Sequence, residues 1–258
     1  MCILVGGFVL NNPEFKPAIL IPVYNHEHAI GQTLKKVLQH GFPVLLIDDG
    51  STLACRDVLL TLAKKYSEQV SLIRLDINGG KGAAVKAGLR VLKDEGYSHA
   101  LQVDADGQHD LSDLAQFMML GQQNPIRLIA GIPQYDKSVP KIRYYSRYLT
   151  HIWVWINTLS FEIKDSMCGF RLYPLEKTVT LLDQEPCGDR MDFDTEIIVR
   201  WVWRGGRVQN LATKVSYPTD GVSHFDALHD NILISWMHTR LFFGMLRRLP
   251  VILWRRFQ

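Results

Sequence analysis

Two carboxylates one residue apart, Asp104 and Asp106, close an apolar run that ends at Val103, and Gly107, Gln108 and His109 follow at once. In extended backbone, residues two apart point to the same side, so both carboxylates can converge on one ion. A hard divalent cation takes one or two protein carboxylates and completes its shell with phosphate oxygens and water. The chemistry on offer is therefore a metal-held diphosphate. Asp and Gly also dominate surface turns for purely local reasons, so the pair alone leaves both readings open.

The elements that would position the pair decide between them. Apolar runs at 18–23, 44–47, 70–75 and 98–103 read as buried strands, and helical spacing fills 27–39, 51–66 and 83–93. Strands alternating with helices imply right-handed βαβ units and a parallel sheet with helices on both faces. Ligands of such sheets bind outside the carboxyl ends of the strands. Each of the four runs ends in a polar cluster: Tyr24-Asn25, Asp48-Asp49-Gly50-Ser51-Thr52, Asn78 to Gly82, and the Asp104/Asp106 pair. Four such clusters on one edge form a candidate site. Gly79, Gly80 and Gly82 let backbone approach a phosphate closely, and Lys81 adds charge. The loop is neither a Walker A sequence nor a dinucleotide fingerprint, since Lys81 precedes Gly82 and Val85 stands where a third glycine is needed. Asp48 and Asp49 are acceptors suited to the N–H groups of a base or to ribose hydroxyls, or else to capping the next helix.

These stretches, with 21–25, 47–52, 78–84 and 104–109 in order and spacing, resemble the motifs of family 2 glycosyltransferases. The likeness is greatest to the branch of dolichyl-phosphate mannose and glucose synthases, and it resumes at 165–171. The resemblance implies an α/β GT-A (Rossmann-like) fold, a mostly parallel sheet with helices on both faces plus C-terminal amphipathic helices. It also implies a UDP- or GDP-sugar donor, a Mg²⁺ or Mn²⁺ ion, and inversion at the anomeric carbon. Carried over, Pro22, Tyr24, Asn25, Asp48, Asp49 and Gly50 line the base and ribose pocket, and Lys81 and Gly82 lie along the nucleotide. Asp104 touches ribose and metal, and Asp106 and Gln108 complete the metal shell. Arg171, Asp194 and Glu196 become the catalytic candidates, because relatives that glycosylate a hydroxyl use an Asp at the corresponding helix start as base. A phosphate acceptor is already ionised and needs none; helix capping is the alternative role for the acidic pair.

One departure from the branch stands out. After the strand at 127–132 the chain reads Gly131-Ile132-Pro133, where an acceptor-side arginine is expected. Lys141, Arg143 and Arg147, with His224 further on, are the candidates for gripping an anionic acceptor; a solvated basic face and a structural histidine are the alternatives. From Arg240 the chain carries five arginines and no acidic residue, among Trp236, Phe243, Leu246 and Trp254. Such a basic amphipathic helix suits an anionic membrane surface or packs on the domain. The expected layout is a transferase domain over 1–225 and a helical extension over 226–258, peripheral at the cytoplasmic face.

Composition bounds the rest. The 258 residues, 47% hydrophobic and 21% charged, are ordinary for a folded protein, and a net charge of +3 with no internal basic block argues against nucleic acid. Four cysteines without paired spacing indicate neither zinc nor a disulfide framework. No apolar run is long enough to span a bilayer. Two rivals remain: a sugar-phosphate nucleotidyltransferase, which needs a glycine-rich loop after the first strand, and an inactive nucleotide-sugar-binding scaffold.

Overall fold

The computed structural model describes residues 14–135, 141–215 and 227–255, with the side chains of 135, 141–146 and 227–229 outside that description. The elements run β1 (Pro17–Val23), α1 (Ile30–Leu38), β2 (Val44–Asp49), α2 (Leu53–Lys65), β3 (Val70–Leu75), α3 (Lys81–Asp94) and β4 (His99–Gln102). A short 3-10 turn leads into α4 (Leu114–Gln123), then β5 (Leu128–Tyr135), α5 (Lys141–Thr158), β6 (Arg171–Pro174), α6 (Leu175–Gln184), α7 (Phe193–Trp203), β7 (Val208–Val215) and α8 (Ala227–Trp254).

The seven strands form one sheet in the order β3-β2-β1-β4-β6-β5-β7. Neighbours are parallel except at β6, which runs antiparallel to both β4 and β5. β1 and β2 are buried almost throughout, as continuous apolar strands must be when helices cover both faces. One apolar layer packs α1, α2 and α4 on the sheet through residues such as Leu34, Leu59 and Phe117. The other packs α3, α6, α7 and α8 through Leu89, Leu181, Ile197 and Leu241. The C-terminal helix packs on this layer: Met237, Leu241, Met245 and Ile252 are buried, and Arg240 and Arg248 reach Glu196 and Glu185. Register sets the functional edge. Val23 pairs with Asp48 and Asp49 with Leu75, so the polar segments after β1, β2 and β3 emerge side by side.

Candidate active site

At the β2 end, Asp48 and Asp49 are both buried, and their oxygens already have partners. Asp48 accepts the Ser51 N–H at 2.9 Å and pairs with the Arg74 guanidinium, which also donates to the Ser51 carbonyl at 2.8 Å. Asp49 accepts the Gly79 and Gly80 N–H groups at 2.8 and 2.9 Å and the Asn78 amide at 3.1 Å. Burial raises its carboxyl above the usual range, and the two loop N–H groups partly offset this. The sequence offered both residues as acceptors for a nucleoside or as caps of the next helix; in the structure Asp49 clamps the glycine loop. The charge that β3 brings to Asp48 is Arg74, a third exposed. Asn25, at φ 52°, ties the β1 loop to the β2 loop: its N–H donates to Ser51 Oγ and its Oδ1 accepts the Thr52 N–H. Pro22 lies buried in β1, Tyr24 is half-buried beside it, and Gly50 turns the chain at φ 65°.

Gly80 caps α3 at φ 101°, a conformation that side chains strain to adopt. A Cβ there would also lie 2.6 Å from the Asp189 carbonyl and 2.7 Å from Arg190 Cγ, so segment 187–190 lies directly over the loop. Gly82 approaches the same segment, and Ala83 N–H donates to Asp189 O at 2.9 Å. Arg190 is exposed there, and its charge favours the ionised form of Asp49. It has no sequence signature, because it belongs to a segment more than a hundred residues from the loop it covers.

The centre of the site is Lys81. Its Nζ lies 2.8 Å from Asp104 Oδ1 and 2.9 Å from Asp194 Oδ2, bridging the ends of β4 and α7. Burial would lower the lysine, but the two carboxylates hold it well above its ordinary range. Burial would likewise raise Asp104, but Lys81, with His109 at 3.5 Å, holds it far below the usual carboxylate range. Asp106 is pushed the other way, by burial first and the Asp104 charge second; its Oδ1 accepts the main-chain N–H of Gln108 at 3.0 Å. Two crowded carboxylates, one of them made reluctant to ionise, are a donor set that a divalent cation relieves. Among the described residues no cluster of three or more His, Cys, Asp or Glu side chains converges. The chain itself thus offers a cation at most this carboxylate pair, of which Asp104 is already paired with Lys81.

The loop at 165–170 closes over this pair. A Cβ on Gly169 would sit 2.5 Å from Asp104 Oδ2 and 2.7 Å from Lys81 Nζ, so a larger residue would push these two charged groups aside. Asp165 holds the loop by accepting the Met167 and Cys168 N–H groups, each at 2.8 Å. Arg147 grips Asp165 with two hydrogen bonds, at 2.6 and 2.7 Å. The acceptor role expected of Arg147 thus meets a guanidinium directed at a structural carboxylate. The side chains of Lys141 and Arg143, and all of His224, lie outside the described residues.

The three catalytic candidates separate. Arg171 is fully buried and donates to the Ser166 and Asp194 carbonyls, bracing the loop against α7 rather than facing a substrate. Glu196 is fully buried, with Oε1 held by Arg200 and Oε2 by the Gly188 N–H and Arg240. Asp194 is buried too; Lys81 holds Oδ2, and the Gln102 amide lies 3.5 Å from Oδ1.

A mixed sheet with acidic strand ends, a glycine loop at a helix start and a carboxylate pair defines a GT-A glycosyltransferase fold. Residues 18–187 match the family model for glycosyl transferase family 2, and the chain belongs to that family. Among curated proteins it is 28% identical over 223 residues to the dolichyl-phosphate beta-glucosyltransferase of Dictyostelium discoideum, covering 78% of this chain and 63% of that one. The human dolichyl-phosphate beta-glucosyltransferase is 25% identical over 215 residues (74% and 64%). The chain thus spans a little under two thirds of these relatives' length. An uncharacterised protein of Methanocaldococcus jannaschii is 26% identical over 211 residues, covering 80% and 90%. The fold matches glucosyl-3-phosphoglycerate synthase from Mycobacterium tuberculosis at a TM-score of 0.60, with 14% identity and 91% and 80% coverage. It also matches the Pyrobaculum calidifontis mannosyltransferase PcManGT, in complex with GDP-Man and Mn²⁺, at 0.57, with 13% identity and 90% and 64% coverage.

Proposed function

We propose that this protein transfers a sugar from a UDP- or GDP-sugar to a polyprenyl-type lipid phosphate, with inversion, at a membrane surface. The observation that carries the acceptor class is Asp194. The acidic side chain best placed to be a base is buried and ion-paired to Lys81. A hydroxyl acceptor needs a free base, whereas a phosphate oxygen attacks the anomeric carbon already ionised, and no proton has to move. The names of the dolichyl-phosphate relatives support the same acceptor.

On this reading Asp104 and Asp106 hold Mg²⁺ or Mn²⁺, which when bound stabilises the charge developing on the leaving diphosphate. The glycine loop, fixed by Asp49, presents the N-terminus of α3 to the donor, and Arg74 and Arg190 add positive charge around it. Lys81 keeps Asp104 ionised and in place. Gly169 and its loop keep the carboxylates covered on the acceptor side. On α8, Ile232, Trp236, Phe243, Leu246 and Trp254 are exposed at helical spacing, and Leu149, Ile152 and Ile156 are exposed on α5; this suits contact with lipid. Among the described residues no helix is long and apolar enough to cross a membrane, so the contact would be peripheral.

The test is transfer from a panel of UDP- and GDP-sugars with Mn²⁺, offering undecaprenyl phosphate or the corresponding alcohol in detergent. Transfer to the phosphate alone, lost in Asp106→Ala and retained in part by Asp194→Asn, is the expected result. Transfer to the alcohol, abolished by Asp194→Asn, would overturn the acceptor assignment.

A further inference from the structure

A cleft lined by arginines and aromatic rings lies away from the Lys81 site. It has a volume of about 490 Å³, between the end of α6, α7 and α8. Asp194 and Glu196, two residues apart on α7, face different neighbours: Asp194 meets Lys81 in the active site, and Glu196 meets Arg240 beside this cleft. Arg200, Arg240, Arg247 and Arg248 line the cleft against one lining carboxylate, Glu185. Glu185 is already shared by Arg200 at 2.7 Å, Arg248 at 3.2 Å and Arg204 at 3.5 Å. Arg240 turns to Glu196 at 3.2 Å and Asp192 at 3.6 Å. Arg247 is exposed and has no hydrogen bond or ion pair among the described residues. The cleft thus has an excess of cations in a fixed arrangement, with one guanidinium uncommitted. Guanidinium forks of this kind match a phosphate group.

The rim says which source of phosphate fits. Trp236 and Phe243 line the same cleft and are 59% and 60% exposed, continuous with the exposed apolar face of α8. A soluble anion has no use for exposed indole and phenyl rings; a headgroup anchored at an apolar boundary does. We propose that this cleft is a binding site for the phosphate of an anionic phospholipid headgroup, separate from donor and acceptor. The proposal rests on the membrane-surface reading above and sharpens it, assigning recognition of lipid charge to one cleft.

The experiment is co-sedimentation of the full chain, without donor or acceptor, with vesicles of phosphatidylcholine alone and with added phosphatidylglycerol. The wild-type chain should prefer the anionic vesicles. Arg247→Ala should weaken that binding about fivefold, the usual weight of one basic residue at an anionic surface. Arg56→Ala, which removes the same charge from α2 on the other layer of the fold, should leave it unchanged. Equal losses in the two variants would reduce the effect to overall charge and overturn the site. Equal binding of the wild-type chain to both vesicles would overturn it as well, leaving only apolar contact. Binding of inorganic phosphate by the wild-type chain, lost in Arg247→Ala and unaccompanied by any preference for anionic vesicles, would assign the cleft to free phosphate instead. Because no sugar is transferred in the assay, Asp106→Ala should bind like wild type, and failure here leaves the transferase reading standing.

Discussion

Lys81→Met tests the geometry at the centre of the site. The substitution removes the ammonium that lies 2.8 Å from Asp104 and 2.9 Å from Asp194, and it leaves two carboxylates facing an apolar side chain. Stranding one partner of a buried ion pair costs about 3–5 kcal/mol. Asp194 is nearly inaccessible, but Lys81 and Asp104 are 19% and 22% exposed, which argues for the lower end, about 3 kcal/mol. For a chain of this size that lowers the unfolding midpoint by roughly 6–12 °C. The pH dependence has a definite sign. Asp104 is depressed in the folded state, so its pairing stabilises above the ordinary carboxylate range and is lost as pH falls through and below it. The gap between Lys81→Met and wild type should therefore be widest at neutral pH and shrink in acid. Adding Asp194→Asn removes one stranded charge and should recover about 2 kcal/mol of the loss, a coupling readable in a double-mutant cycle. The assay is thermal unfolding followed by circular dichroism across pH. A neutral-pH shift below about 2 °C, less than 1 kcal/mol at this size, would refute the account of Lys81 as the brace between the two carboxylates.

Three further outcomes follow from the same structure. Gly169→Ala places a methyl within 2.5 Å of Asp104, so kcat/KM should fall about tenfold to a hundredfold, the kinetic equivalent of the 1–3 kcal/mol cost of overpacking, with the fold retained by circular dichroism. Asp49→Ala frees the glycine loop and should raise the KM for the nucleotide-sugar about tenfold or more, since charged hydrogen bonds are worth about 1.5–3 kcal/mol each. His238 is buried at the α5–α8 contact with its ring stacked on Trp153, and burial lowers it from 6.5 to about 4. The unfolded chain takes up this proton first, so stability should fall as pH drops from about 6.5 toward 4, by up to about 3 kcal/mol. His238→Phe should flatten that part of a midpoint-against-pH curve.

The strands and the site edge were legible because their signals are local. An apolar run ending in Asp48-Asp49 or Asp104-Ala105-Asp106 carries strand, turn and chemistry within ten residues. β6 was not legible: Arg-Leu-Tyr-Pro is too short for a period, and its antiparallel place between β4 and β5 is set by tertiary pairing. The helices at 114–123 and 175–184 were not legible either, although Leu175, Val179 and Leu182 are buried at helical spacing. At the site, residue types were readable but their partners were not. Asp49 looks like a ligand for a nucleoside until the loop thirty residues on is seen to take its oxygens. Glu196 looks like a base until Arg200, Gly188 and Arg240 are seen around it. Arg74 faces Asp48 only through strand register, and Gly169 is crowded only because Asp104 and Lys81 arrive from elsewhere. Long-range closure of this kind leaves no mark in a window of neighbouring residues.

The two faces of α8 have unequal freedom to change. Its inner face is fastened to the rest of the fold: Arg240 shares Glu196 with the Gly188 N–H, in the segment lying over the glycine loop, and Gly244 packs against Trp203 so closely that a Cβ would lie 2.8 Å away. A change there has to be answered in α7 and in the 187–190 segment together, so these positions should drift as a group or not at all. The outer face, with Ile232, Trp236, Phe243, Leu246 and Trp254, has no such obligations. On the membrane-surface reading proposed above, it can be rewritten, by natural drift or by an engineer, to suit a bilayer of different charge or thickness while the packing behind it is left untouched.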